Sequence, residues 1–149
     1  MDYGEADALN RAIRLVALKH RARATSLLGQ IGLHPGQEIL LLELEAHGPQ
    51  TQIQLAGRCD CEAPTITQLA QKLEANGLIS REPSSSDGRA TVVDLTDKGR
   101  ALLEPLRQRW LELAESTVAG LAVTDKDQLL SVTRDLAQSL SSKAARESS

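Results

Sequence analysis

The stretch TQIQLAGRCDCEAPTITQLAQKLEANGL, residues 51–78, decides how this chain folds. Thr51 stands where a helix N-cap is needed, because its hydroxyl can accept an orphan N–H of the first turn. The pattern behind it predicts a short helix from Gln52 to about Arg58, with Ile53, Leu55 and Ala56 turned inward. A tight bend at Cys59-Asp60-Cys61 follows, and then a longer helix from about Glu62 to Ala75. Ile66, Leu69, Ala70 and Leu73 recur at helical spacing as its inner face. Thr65, Thr67, Gln68, Gln71 and Lys72 are left outside or at the borders. Asn76-Gly77 tolerates positive φ and reads as the C-terminal cap, with Leu78 folding back onto the last turn.

After this stretch, residues 78–83 and 90–95 read as two strands joined through the polar connection Ser84 to Arg89, a hairpin. Thr96 then caps a long helix from about Asp97 to Ala119, with Leu102, Leu103, Leu106, Trp110, Leu113 and Val118 as its expected buried positions and a kink expected at Pro105. Thr124-Asp125-Lys126-Asp127 is expected to start a last helix, and Ser141 to Ser149 a frayed tail. Upstream, a long helix is expected from Asp7 to about Gly29. Leu9, Ile13, Val16, Leu27 and Ile31 lie near one stripe, and His20 falls on it. A second helix is expected from about Pro35 through Glu45, with Ile39, Leu40, Leu41, Leu42 and Leu44 as its core, stopping at His47-Gly48-Pro49.

Composition narrows the functional classes. Of 149 residues, 41% are hydrophobic, yet there is one Trp, one Tyr and no Phe, so the core must be built from Leu, Ile, Val and Ala, which suits helix packing. No apolar run reaches the roughly 18 residues needed to span a bilayer, and the acidic start MDYGEADALNRA lacks the basic region of an export signal. Cys59 and Cys61 are too close for an unstrained disulfide, so a reducing cytoplasm is the expected location. Three His, at 20, 34 and 47, show no metal-ligand spacing. No Gly-rich phosphate loop, nucleophile elbow or clustered acid–base set is found, which argues against an enzyme and against a cofactor.

Helix, short helix, bend, helix, hairpin is the order of a winged helix-turn-helix. The helix after the bend enters the major groove, the helix before it braces, and an Arg at the hairpin tip meets backbone or minor groove. The chain resembles the MarR family of winged-helix regulators. The residues that carry the resemblance are Gly32-Leu33-His34-Pro35-Gly36-Gln37, then His47-Gly48-Pro49 with Thr51 to Ala56, and Thr65-Ile66-Thr67-Gln68-Leu69. Leu73 to Ile79, Asp87-Gly88-Arg89-Ala90 and Leu95-Thr96-Asp97-Lys98-Gly99-Arg100 continue it at matching intervals, with long helices on both sides.

The resemblance implies three parts in one compact chain: an N-terminal dimerisation helix (1–34), a winged DNA-binding region (35–100), and C-terminal dimerisation helices with a tail (101–149). It further implies a homodimer, probing a pseudo-palindromic operator on double-stranded DNA and acting as a repressor. Thr65, Thr67, Gln68 and Gln71 would then face base edges and phosphates, and Asp87 would pair with Arg89 and hold it at the wing tip. Arg81 would support the wing or touch phosphate, with Gln37 and Thr51 as lesser phosphate contacts. In this family phenolic or aromatic carboxylic acids often bind between the DNA-binding region and the dimerisation helices. Arg14 and His20 could supply the cation and hydrogen-bond donor for such an anion, with Trp110 as a flat wall.

The chain departs from the family pattern at Gln68, where the family usually carries Arg, and at Pro64, which removes an N–H from the first turn. Between Thr51 and Arg100, six bases face seven acids, so DNA binding should depend on position rather than on a general basic surface. Two alternatives stay open at this point. One is a redox-responsive repressor using Cys59 and Cys61, set against their reading as small packing residues. The other is a protein-binding winged-helix module without DNA affinity.

Overall fold

The computed structural model describes residues 1–121 and 126–147. The chain divides into two compact units, residues 1–117 and 118–149. The first holds α1 (Tyr3–Gly29), α2 (Gln37–His47), β1 (Gln50–Thr51), α3 (Gln52–Arg58), α4 (Ala63–Ala75), β2 (Ile79–Pro83), β3 (Thr91–Leu95) and nearly all of α5 (Asp97–Val118). The second holds α6 (Lys126–Glu147). The expected helix start at Thr124-Asp125 lies outside the described residues. α6 itself continues past Ser141 to Glu147, where a frayed tail was expected.

The element order is the one the sequence predicts, with differences at the edges. α1 starts at Tyr3 rather than Asp7, because Asp2 caps it: its carboxylate accepts the Glu5 N–H, and Glu5 reaches back to the Asp2 N–H. α2 starts at Gln37 rather than Pro35, because Gly36 sits at φ +99°, a conformation that interrupts a right-handed helix. Two side chains close that turn. Gln37 accepts the His34 N–H at 2.9 Å, and Glu38 accepts the Gly36 N–H at 2.6 Å. Burial pushes the Glu38 carboxyl above its ordinary range, against the opposing pull of the Glu38 and Gly36 backbone N–H groups and of Arg21.

The sheet has three antiparallel strands in the order β1-β3-β2 rather than a bare hairpin. Gln50 and Thr51 pair with Val93 and Val92, so the residue that caps α3 is also anchored to the wing. On the other side Arg81 lies opposite Val93 and Pro83 opposite Thr91.

The core is aliphatic. Leu27 and Leu28 of α1, Leu40, Leu41 and Leu44 of α2, Leu55 of α3, and Ile66, Ala70 and Leu73 of α4 close around Ile79, Val93, Leu103 and Leu106. Leu42, Leu69, Leu102 and Trp110 pack half-buried at its border. Ile53 departs from expectation and is 77% exposed. Leu55, two residues on, is fully buried, and two helical steps amount to about 200°, which turns Ile53 outward. On α1 burial begins at Ala24, leaving Leu9, Ile13 and Val16 exposed.

Gly77, at φ +73°, ends α4 in a Schellman motif: its N–H donates to Glu74 O at 2.9 Å and the Leu78 N–H to Leu73 O at 3.0 Å. Gly99, buried in the first turn of α5, lies against that segment so closely that a Cβ would stand 2.0 Å from the Leu78 carbonyl oxygen. Gly99→Ala is therefore expected to destabilise the protein by about 3 kcal/mol, the upper range for overpacking, read as a lowered urea midpoint. An unchanged midpoint would show that the α4–α5 junction is looser than described.

Candidate nucleic-acid interface

Burial of Ile66, Ala70 and Leu73 sets the rotation of α4 about its own axis. At 100° per residue, Gln68 and Gln71 then fall on the opposite side, with Thr65 and Thr67 on the flanks. Thr65, Gln68, Gln71 and Lys72 are exposed, as expected. Thr67 is half-buried, and its hydroxyl is already engaged. It donates to Ala63 O at 3.1 Å and accepts from Gln52 Nε2, also at 3.1 Å. That bridge ties α3 to α4, so Thr67 braces the pair more than it offers a donor outward.

Thr51 acts as the N-cap of α3. Its hydroxyl accepts the Gln54 N–H at 3.2 Å while Gln54 accepts the Thr51 N–H at 3.0 Å, a reciprocal capping box. Gln37 is corrected: it is 1% exposed, and its amide oxygen serves the turn before α2, so it does not reach a phosphate.

The wing differs from expectation in one bond. Asp87 accepts the backbone N–H of Arg89 at 3.1 Å and makes no ion pair with its guanidinium. Asp87 thus shapes the turn, and the Arg89 side chain is exposed, with no ion pair among the described residues. A cleft of about 230 Å³ opens between this wing and the starts of α3 and α4, lined by Arg89 and Thr91 on one side and Gln52, Ile53 and Ala63 on the other. Gln52 and Ile53 were missed as members of this face. The bridge from Gln52 to Thr67 crosses fifteen positions and leaves no local signature, whereas an apolar Ile53 read naturally as core.

Arg81 supports the wing. Its Nη2 donates to Glu74 Oε1 at 2.9 Å, and its Nε is buried without a hydrogen-bond partner among the described residues. The hydrogen bond from Arg81 holds the Glu74 carboxyl below its ordinary range.

The other candidates separate in space. His20 lines a groove of about 440 Å³ between α1 and α5, with Leu15, Val16, Lys19, Arg23 and Thr117. Arg14 lines a different groove with Asp7, Asn10 and Arg11. Trp110 lines neither and packs on the core. Within one chain, therefore, Arg14, His20 and Trp110 do not form one site. Arg23 is engaged by Glu112 at 2.8 Å, and Glu112 also pairs with Arg109.

Cys59 and Cys61 are half-buried against the core, and Cys61 Sγ donates to Cys59 O at 3.3 Å. Burial, then the proximity of Cys61 and Glu43, pushes the Cys59 thiol up to about 11. At neutral pH it is protonated and a poor nucleophile, which disfavours the redox alternative. Among the described residues no cluster of His, Cys, Asp or Glu could hold a metal ion, and no helix is long and apolar enough to cross a membrane.

The chain matches the sequence profile of the MarR family over residues 33–91. It is 31% identical over 119 residues to YwoH of Bacillus subtilis, described as an uncharacterized HTH-type transcriptional regulator, a match covering 80% of this chain and 83% of that protein. The chain belongs to the MarR family. As a MarR-family protein it is a DNA-binding transcription regulator and not an enzyme. Its fold is that of the Escherichia coli MarR C80S mutant complexed with operator DNA (TM-score 0.80, 21% identity, 91% of this chain and 99% of that one). It is equally that of Bordetella bronchiseptica BpsR, whose DNA binding is regulated by 6-hydroxynicotinic acid (TM-score 0.79, 21% identity, 87% and 98%).

The Arg81–Glu74 pair predicts a titration. A carboxyl held below its ordinary value of 4.5 contributes stability above that value and loses it as pH falls through the lowered folded value. In Arg81→Met the Glu74 carboxyl should titrate in its ordinary range by NMR, and this share of the acid-side destabilisation should vanish. An unmoved Glu74 titration would mean that the pair does not persist in solution.

Proposed function

We propose that this MarR-family regulator is a homodimeric repressor that binds a pseudo-palindromic operator and is released by a small aromatic acid. The observation that carries the DNA reading is the pairing of an outward α4 face (Thr65, Gln68, Gln71) with a wing whose exposed Arg89 guanidinium has no ion pair among the described residues. Glutamine amides can pair bidentately with adenine in the major groove, and an arginine on a wing is drawn to the narrow minor groove. Thr51 and Arg81 act behind this face as cap and brace.

Dimerisation is supported by apolar side chains that each unit leaves exposed: Leu9, Ile13, Leu15, Val16 and Leu18 on α1, and separately Leu130, Val132, Leu136 and Leu140 on α6. On α1, Leu9, Ile13 and Val16 fall within one stripe at 100° per residue, and exposed apolar side chains of this kind on long helices favour burial against a second copy. The acid reading is supported by the α1–α5 groove, where Lys19 and His20 stand over Leu15 and Val16, and by the regulation of BpsR by 6-hydroxynicotinic acid. Arg14 and Trp110 would join such a site only through the second copy.

Titration of a fluorescent operator duplex in rising salt tests the first part. Arg89→Ala should weaken binding by about tenfold or more and lower the salt slope by about 1. Unchanged affinity would remove the wing from the interface. For the second part, hydroxynicotinic and hydroxybenzoic acids should raise the melting temperature and release the operator, and His20→Ala should blunt both effects. Stabilisation that His20→Ala leaves intact would place the effector elsewhere.

A further inference from the structure

The carboxyl end of α4 is gripped by the start of α5 through side chains that the DNA-facing surface does not use. Carbonyls at a helix end lack helical partners and need donors from elsewhere. Here three successive carbonyls after α4 are met from one short segment. Lys98 Nζ donates to Asn76 O at 2.8 Å, Thr96 Oγ1 to Gly77 O at 2.6 Å, and the Thr96 N–H to Leu78 O at 3.1 Å. The Lys98 ammonium also stands at the negative end of the α4 dipole, where a cation is favoured. The Thr96 hydroxyl works twice, since it accepts the Gly99 N–H at 3.0 Å and so caps α5 as it grips α4. Gly99 supplies the close backbone approach that brings the two segments together.

The gripped segment is itself fixed to α4 by the Schellman bonds from Gly77 and Leu78, and the wing reaches the same last turn through Arg81 and Glu74. The amino end of α4 is packed through Ile66 against the core but carries fewer polar ties. Its N-cap Glu62 makes no side-chain capping bond, Pro64 lacks an N–H, and the described side-chain tie from a neighbouring element is the Gln52–Thr67 bridge.

We infer that Thr96 and Lys98 are positioning residues for operator recognition: they lock α4 to α5 as one lever and so set the spacing of half-sites that the protein accepts. The inference rests on the operator reading above and names two residues that determine specificity without touching a base. α4 is aimed from its carboxyl end, and the direction of α5 becomes the direction of the recognition face. A donor lost from the joint leaves α4 packed by its apolar face but free to swing, which lowers preorganisation rather than contact.

Two measurements test it. The first needs no DNA: spin labels on Lys72→Cys in α4 and Gln108→Cys in α5, in a Cys59→Ser, Cys61→Ser background diluted with unlabelled chain, report the distance within one protomer. Thr96→Val and Lys98→Met should each broaden that distribution, and an unchanged width would overturn the lever. Lys98 is exposed, so its variant keeps the test open if Thr96→Val folds poorly. The second compares a single half-site duplex with operators whose half-sites are spaced one and two base pairs either side of the optimum. The variants should bind the half-site as the unaltered protein does, lose about five- to tenfold on the optimal operator, as expected for one hydrogen bond, and show a flattened spacing preference. Equal losses on half-site and full operator, with the preference intact, would make Thr96 and Lys98 ordinary caps or phosphate contacts and overturn the proposal. If the unaltered protein itself shows no spacing preference, the operator reading is what fails, and the label distances still decide the lever.

Discussion

The burial of Ile66, Ala70 and Leu73 under α2 and α3 is the constraint on which the rest depends. Each such aliphatic side chain contributes about 1.5–3 kcal/mol for Leu or Ile when fully buried. Rotating α4 would expose these side chains and bury Gln68 or Gln71 without partners, so the phase of the helix is fixed. That phase chooses which side chains face solvent. The chemistry of the interface is thus selected by packing on the opposite side of the same helix.

The surrounding elements hold this helix in place and leave its outer face unobstructed. Thr51 caps α3 and pairs with β3, Gln52 bridges to Thr67, and Arg81 reaches from β2 to Glu74. The Thr51 hydroxyl, the Gln52 amide and Arg81 Nη2 each meet a partner within the protein. Exposed beside them are the Thr65 hydroxyl, the Gln68 and Gln71 amides and the Lys72 ammonium on α4, and the Arg89 guanidinium on the wing. A chain with net charge −3 has little general attraction for a polyanion, and its selectivity must come from where these few groups are held.

Most of the fold was legible because it is written in local signals. Thr51, Asn76-Gly77 and Thr96 mark helix ends by capping chemistry, and the inner residues of α4 mark its phase by period. The hidden parts depend on long-range contacts. A two-residue strand at Gln50–Thr51 has no period to read and exists only because Val92 and Val93 arrive opposite it. Gln37 looks like any exposed residue at a helix start until the left-handed Gly36 folds its amide onto His34. Ile53 is apolar in sequence, yet its angular distance from Leu55 puts it outside. Arg14, His20 and Trp110 share the right chemistry for an anion but not one location within a protomer.

Hydroxyl-radical footprinting of a bound operator reads the geometry of both α4 faces at once. Operator binding by two copies of the winged helix predicts two windows of backbone protection on one face of the duplex, about one helical turn (~10 base pairs) apart, with minor-groove protection at their outer edges where the wings lie. A single protected window, or protection confined to the minor groove, would contradict it.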